Sequence, residues 1–161
     1  MSASKALAVV AVAGIASLGV TAVVLAARPT GHVATAAAVT ALAPERVNLT
    51  IVPDALMGSN KRTHDAYIPA FITARAHQPV IVIIYNLDTA PHSFTAPSLG
   101  LNAIATAAKD QGGVGVTTFS FTAAKAGVYH WKCILPCDNG GVNAWAMTHD
   151  GFMAGTITIQ G

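Results

Sequence analysis

The residues of this 161-residue chain that are suited to metal chemistry are two cysteines, two histidines and a methionine. Cys133 and Cys137 enclose Ile-Leu-Pro, and the segment THDGFMAGTITI that follows contains His149 and Met153. His92 lies about forty residues upstream, in the segment PHSF. Thiolate, thioether and imidazole groups together indicate copper. Two thiolates this close in sequence are also able to contact the same pair of metal ions.

A disulfide is the alternative interpretation of the cysteine pair. Cys133 and Cys137 are the only cysteines of the chain, and an even cysteine count in an oxidising compartment is typical of a disulfide. The neighbouring histidine and methionine favour a metal site. On the sequence alone, both interpretations stay open.

The segment that leads into Cys133 has the pattern of a β-strand. A period of two places Tyr129, Trp131 and Cys133 on one face and His130 on the other. We therefore expect Cys133 to point inward beside aromatic side chains and His130 to lie at the surface. His92 follows a buried-type strand and a turn, which predicts that it lies on a loop between strands.

The region after residue 44 alternates short β-rich runs with turn signals. This spacing predicts an all-β antiparallel sandwich or barrel, in which 97–115 is the longest internal loop. The predicted strands are 47–52, 66–74, 79–86, 116–122, 127–133 and 155–160.

The first 28 residues are predicted to be a membrane anchor or a signal sequence. Residues 6–27 carry no charge and are flanked by Lys5 and Arg28, and about 20 apolar residues suffice to cross a bilayer. A signal sequence has a shorter apolar core of about 7 to 15 residues, so the length favours an anchor. We therefore expect a single-pass protein of the cell membrane whose soluble domain lies on the extracytoplasmic side.

Residues 29–44 are small and aperiodic, with a proline near each end, and are predicted to be a flexible tether. Residues 45–161 are then the copper-binding domain. Without Lys5 and Arg28, seven basic residues balance seven acidic ones. Nucleic acid is not an expected partner, because no basic patch remains to neutralise phosphates. No Ser-His-Asp arrangement, paired-carboxylate motif or phosphate-binding loop is evident, so the chain is not expected to be a catalyst by itself.

Three segments carry a resemblance to a known family. HSFTAPSLGLNA, GVYHWKCILPC and HDGFMAGTITI resemble the copper-ligand segments of the copper A domain of cytochrome c oxidase subunit II. The resemblance covers about residues 66–161, and the single N-terminal span is similar to that of the short, single-helix form of this subunit. It implies a cupredoxin-like Greek-key β-sandwich preceded by one transmembrane helix.

The resemblance also implies a dinuclear copper A centre and its partners. The two cysteines would bridge two copper ions, each histidine would bind one of them, and a thioether and a backbone carbonyl would complete the shell. An extracytoplasmic donor, either a cytochrome c or a small copper protein, would supply electrons, and a haem-copper oxidase catalytic subunit in the membrane would accept them. The implied ligands are His92, Cys133, Leu135 (through its carbonyl), Cys137, His149 and Met153.

One spacing departs from the family pattern. Eleven residues separate Cys137 from His149, where the family has three. The inserted loop 138–148 either bulges out and returns His149 to the site, or supplies a different ligand such as Met147. Trp145, within this loop, is the predicted point at which electrons enter.

The spacing of three residues between His149 and Met153 is similar to that of mononuclear blue copper proteins; the family places two residues there. In this alternative, Cys133 is the single thiolate beside His92, His149 and Met153. The protein would then bind one copper ion and be a freestanding, membrane-tethered electron carrier. A third class is non-redox, either copper delivery to an oxidase or a structural sandwich with a disulfide.

Overall fold

The computed structural model describes residues 41–138 and 144–161, which form nine β-strands and short 3-10 helices. No helix within these described residues is long and apolar enough to span a membrane. The predicted span at 6–27 lies outside them, as does most of the predicted tether. The strands are β1 (Glu45–Met57), β2 (Thr63–Ile68), β3 (Phe71–Arg75), β4 (Pro79–Asn86), β5 (His92–Ala96), β6 (Leu101–Ala105), β7 (Gly115–Thr122), β8 (Gly127–Lys132) and β9 (Ala154–Gln160).

The strands form two sheets, so the predicted all-β architecture is confirmed. One sheet has four strands in the order β2-β1-β4-β7, and the other has five in the order β3-β9-β8-β5-β6. Most neighbouring strands are antiparallel, but β1 runs parallel to β4 and β3 runs parallel to β9. In the five-stranded sheet, β8 therefore lies between β9 and β5, beside the strand that begins at His92.

The core is built from side chains that alternate along the strands. In β4, each second residue is buried, as expected for a strand with one face toward the other sheet. Similar alternation in β3 and β9 places their apolar side chains inward. The buried aliphatic residues include Leu49, Ile51, Ile72, Val80, Val82, Ile84, Ile157 and Ile159.

Three aromatic rings fill the core next to the cysteine-bearing strand. Phe94 stacks on Trp131 with ring centroids 4.5 Å apart, and Tyr67 meets Trp131 edge-on at 4.9 Å. The polar atoms of these rings are satisfied, since Trp131 Nε1 donates to the Ala70 carbonyl (3.1 Å) and Tyr67 donates to the Ser93 carbonyl (3.1 Å). The inward-facing Trp131 of β8 therefore packs between Phe94 and Tyr67, and these three residues form an aromatic cluster.

Three predictions of local structure were wrong. The strand expected at 66–74 is divided between the two sheets, because Pro69 lacks the N–H group needed to continue the ladder. The loop expected at 97–115 contains β6, and His92 begins strand β5 instead of lying on a loop. All five residues of β5 are buried, so its sequence lacks the two-residue alternation that signals a strand.

Candidate metal centre

The candidate site lies where β5 begins and β8 ends. These two strands are antiparallel neighbours, with Thr95 paired to Lys132. The start of β5 and the end of β8 therefore meet at the same edge of the sheet. This geometry places His92, the first residue of β5, beside Cys133, which directly follows β8.

Three predicted ligands come together at this edge. One ring nitrogen of His92 and the sulfurs of Cys133 and Cys137 all lie within 4.8 Å of one another. All three residues are buried, with no more than 2% of their surface exposed. Sulfur and imidazole ligands in a dry pocket fit copper or zinc.

The imidazole of His92 is oriented by Asp88. His92 Nε2 donates to the Asp88 carboxylate at 2.9 Å, which leaves Nδ1 as the nitrogen with a free lone pair. Among the described residues, His92 Nδ1 is a buried polar atom without any hydrogen-bond partner. Such an atom costs about 1–3 kcal/mol when it is left unsatisfied. A metal ion bound at Nδ1 removes this cost, and a carboxylate on the second nitrogen is the usual partner of a metal-bound histidine.

The turn before β5 fixes the position of Asp88. The Asn86 side chain accepts from the Asp88 N–H (2.9 Å) and donates to the Ala90 carbonyl (2.9 Å), while Asp88 Oδ1 accepts from the Ala90 N–H (3.1 Å). The Asp88 carbonyl in turn accepts from the Ala108 N–H at 2.7 Å. Asp88, and through it His92, is therefore held by a closed set of local hydrogen bonds.

The sulfur of Cys133 has a defined polar environment. The Ser93 N–H donates to Cys133 Sγ at 3.4 Å, and the Ser93 hydroxyl lies 3.9 Å from the same sulfur. The Leu135 carbonyl oxygen also lies 3.9 Å from it. Ser93 Oγ accepts from the Ile134 N–H at 2.9 Å, so the chain after Cys133 is tied to the residue after His92.

The two cysteine sulfurs are in covalent contact as a disulfide. Their Cα atoms are 7.0 Å apart, just beyond the usual separation of about 4.4–6.8 Å. Reduction of this bond is required before either sulfur is able to bind a metal ion as a thiolate. Both predicted interpretations of the pair, disulfide and metal ligands, place the two sulfurs at the same edge of the sheet.

A buried carboxylate lies beside the histidine. Asp65 accepts a hydrogen bond from the Asp54 N–H (3.0 Å), and it approaches Asp88 and His92 closely enough to form a second cluster. Burial raises the pKa of Asp65; the Asp54 N–H and the nearby His92 act in the opposite direction, and Asp88 and Asp138 add to the rise.

The remaining predicted site residues belong to the segment after Cys137. Met153 is buried, and its backbone carbonyl accepts from the Cys133 N–H at 2.8 Å. Met147, the alternative ligand, is also buried, in the 3-10 helix Trp145–Thr148. His149 is exposed; its ring stacks on Trp145 at 3.7 Å, and its Nδ1 donates to the Trp145 carbonyl at 2.7 Å. The structure therefore brings His92, Cys133, Leu135 and Cys137 together and does not bring His149 to them.

Sequence reasoning missed three residues that support the site. Asp88 orients His92, Ser93 donates to a sulfur, and His64 contacts the residue after Cys137. The contact between Asp88 and His92 has a sequence signal, because a carboxylate precedes a histidine by four residues across a turn. No sequence signal marks Ser93 or His64, because their roles depend on contacts between distant strands. His130 lies at the surface as expected, with 73% of its side chain exposed.

No protein-family model and no curated protein matches the sequence. Among solved structures, the crystal structure of a blue copper oxidase from Nitrosomonas europaea matches with a TM-score of 0.50 and 16% identity, over 73% of this chain and 39% of that one. The multicopper oxidase mgLAC matches with a TM-score of 0.51 and 17% identity, over 74% of this chain and 39% of that one.

At these identities, the similarity establishes the fold alone. The chain is a cupredoxin-like β-sandwich, as the sequence resemblance implied. It spans about two fifths of the length of the solved structures that it matches.

Proposed function

We propose that this chain is a copper protein that transfers electrons through a site made by His92, Cys133 and Cys137. The observation that carries this proposal is the buried His92 Nδ1, which has no hydrogen-bond partner among the described residues and belongs to a ring beside both sulfurs. Copper bound at such a site supplies a one-electron redox couple. The cupredoxin-like fold supports copper over zinc, because the solved structures that share this fold are described as copper proteins.

The surrounding residues suit electron transfer. Asp88 fixes the tautomer and the orientation of His92, and the Ser93 N–H stabilises negative charge on the Cys133 sulfur. The ligands are buried, and both cysteines belong to the same core as the aromatic cluster. We therefore expect little rearrangement of solvent or side chains when the charge of the site changes. Hydrogen bonds around the cysteine sulfur also tune the reduction potential of a copper site.

The finer proposal is a dinuclear copper A centre in a subunit similar to subunit II of a cytochrome c oxidase. Its support is that both sulfurs, not one, lie within reach of the His92 ring, together with the resemblance of the three ligand segments. The Leu135 carbonyl lies beside Cys133 Sγ as this ligand set requires. In the complete set, His149 and Met153 serve as the remaining ligands, which requires His149 to leave its stack on Trp145.

The same proposal assigns a location and partners. The apolar residues 6–27 anchor the chain in the cell membrane, with the copper domain on the extracytoplasmic side. A cytochrome c or a small copper protein delivers electrons near Trp145, and a haem-copper catalytic subunit in the membrane receives them.

A second candidate is a freestanding carrier with one copper ion. The observation that favours it is the difference between the two sulfurs, because Cys133 Sγ accepts from the Ser93 N–H and lies beside the Leu135 carbonyl. Cys133, which alone receives the Ser93 hydrogen bond, is then the single thiolate. Cys137 has no assigned role in this candidate.

Optical absorption tests the copper proposal. The full chain is reduced, to open the disulfide, and is then loaded with copper. The expected result is an intense visible absorption from thiolate-to-copper charge transfer that disappears on reduction and returns on oxidation. A protein that stays colourless after copper loading contradicts the proposal; if its cysteines, before any treatment, also resist alkylation until a reductant is added, the result supports a structural disulfide.

Isolation from membranes tests the oxidase role. The native chain is extracted in mild detergent, and the proteins that accompany it are identified. A haem-copper catalytic subunit in stoichiometric amount is the expected partner. Recovery of the chain alone, with its copper and redox activity intact, contradicts the subunit role and supports the freestanding carrier.

A further inference from the structure

His64 joins the β1–β2 hairpin to the segment that follows Cys137. It lies on β2 and is buried, with 4% of its surface exposed. His64 Nδ1 donates to the carboxylate of Asp138 at 2.7 Å, and His64 Nε2 is hydrogen-bonded to the side-chain oxygen of Asn60 at 2.9 Å. The Asp138 side chain is itself only 5% exposed. Both partners of this contact are therefore shielded from solvent, where electrostatic contacts are strongest.

The same imidazole holds the segment at a second point. Its ring stacks on Trp145 with centroids 4.6 Å apart and meets the Phe152 ring edge-on at 5.8 Å. Gly58 leaves room for this stack, because a Cβ atom there would come within 2.9 Å of both the His64 ring and the Trp145 ring. At Gly58 the hairpin is therefore in close contact with both rings.

The two contacts lie at the start of the inserted loop 138–148 and near its end. Asp138 directly follows Cys137, and Trp145 lies seven residues further along the chain. In a short ligand loop, chain connectivity restricts both ends. A longer loop loses more entropy when it is fixed, so its ends need contacts of their own.

We propose that His64 is a positioning residue that fastens both ends of the loop after Cys137 and thereby holds the Cys137 sulfur at the metal site. The hydrogen bond to Asp138 fixes the end next to the sulfur, and the stack on Trp145 fixes the other end. Cys133 does not depend on this contact, because its N–H donates to Met153 (2.8 Å) and its sulfur accepts from Ser93. His64 therefore acts on one of the two cysteines.

Alkylation of the reduced, metal-free chain tests this role without copper. The rates at Cys133 and Cys137 are measured separately by mass spectrometry of peptides after timed exposure to iodoacetamide. In the wild type both rates are low, because the residues are 1% and 2% exposed. We expect His64→Gln to raise the ratio of the Cys137 rate to the Cys133 rate by about tenfold, since it opens one segment locally and not the whole fold.

Matched variants complete the test. Asp138→Asn removes the charge but keeps the shape, and it is expected to raise the ratio less than His64→Gln. Gly58→Ala pushes on the stack from the hairpin and is expected to raise it as well. His130→Gln, on an exposed histidine 3.9 Å from Asp150, is the control that leaves the ratio unchanged. If His64→Gln does not fold, the Asp138 and Gly58 variants decide the outcome.

The proposal is overturned if the ratio stays at the wild-type value in the folded variants. It is also overturned if both rates rise equally, because His64 then stabilises the whole sandwich and not the loop. A second readout, which rests on the proposed function, is copper content, expected to fall from two ions to one in His64→Gln. Failure of the wild type to bind copper counts against the proposed function only, since the alkylation ratio is measured without metal.

Discussion

The two cysteines of the candidate site are held by different kinds of structure. Cys133 follows a strand whose neighbours on both sides are paired, and its N–H and sulfur both form hydrogen bonds to the sheet edge. Cys137 belongs to a loop that is held by side-chain contacts, among them those of His64 with Asp138 and Trp145. Cys133 is positioned by paired strands, and Cys137 is positioned by the contacts of a loop. In the proposed function, Cys133, the strand-held half, is common to both candidate sites, and Cys137, the loop-held half, distinguishes the site with two copper ions from the site with one.

Removal of the strand-held sulfur is expected to have the largest effect. Cys133→Ser should abolish the visible absorption and leave no tightly bound copper, because both candidate sites use this thiolate. A buried hydroxyl without a full set of partners costs about 1–3 kcal/mol, so the domain should stay folded by circular dichroism. Unchanged absorption in this variant contradicts the assignment of Cys133.

Removal of the loop-held sulfur should have a smaller and more informative effect. Cys137→Ser is expected to reduce the copper content from two ions to one, with the absorption shifted but not abolished. The measurement is metal analysis combined with the optical spectrum. If copper content and spectrum both match the wild type, Cys137 is not a ligand, and the comparison between the two halves has no functional meaning.

Loss of the Asp88 carboxylate tests the part of the site that the strands hold, because Asp88 orients His92 without being a ligand itself. Asp88→Asn keeps a side-chain oxygen near Nε2 but removes the negative charge. Copper affinity, measured by competition with a chelator, is expected to fall about 10- to 100-fold. Asp110→Asn, at an exposed position, is the matched control. Equal affinity in both variants argues that the contact between Asp88 and His92 does not support metal binding.

The smallest expected effect concerns stability and pH. Burial raises the pKa of Asp65 above its ordinary value of 3.8, so the folded state holds a proton at pH values where the unfolded state has lost it. The free energy of unfolding contributed by Asp65 therefore falls as pH rises through this window. Asp65→Asn mimics the protonated form.

The Asp65→Asn variant is expected to unfold at a higher temperature than the wild type at neutral pH, with the difference shrinking as the pH is lowered toward the ordinary pKa. Thermal unfolding of the metal-free chain across pH measures this. A difference that does not change with pH excludes the ionisation of Asp65 as its cause.

Much of the fold was predictable because it depends on local patterns. A continuous run of β-branched residues marked β4, alternation marked the inward face of β8, and turn residues marked the ends of these strands. Strand β5 was not predictable in this way, because its residues are buried throughout and show no alternation. Pro69 signals a break in the strand expected at 66–74, but the β-rich residues on both sides of it led to the prediction of one continuous strand.

The site was predictable in part for a related reason. The two cysteines supply the only thiolates of the chain, and His92 is a histidine near a turn. These residue types are readable from one sequence. Ser93 and His64 act through contacts 40 and 74 residues away in sequence, and no spacing reveals such contacts. The position of His149 depends on how the insertion folds, which its glycine- and asparagine-containing sequence does not specify.

Paramagnetic resonance with metal analysis of the copper-loaded full chain tests the central claim most directly. We predict two copper ions per chain and a hyperfine pattern from one unpaired electron shared equally by both nuclei, because Cys133 and Cys137 both lie beside His92. One copper ion with the hyperfine pattern of a single nucleus contradicts the dinuclear centre. It would leave the mononuclear carrier, with Cys133 as its thiolate, as the remaining copper assignment.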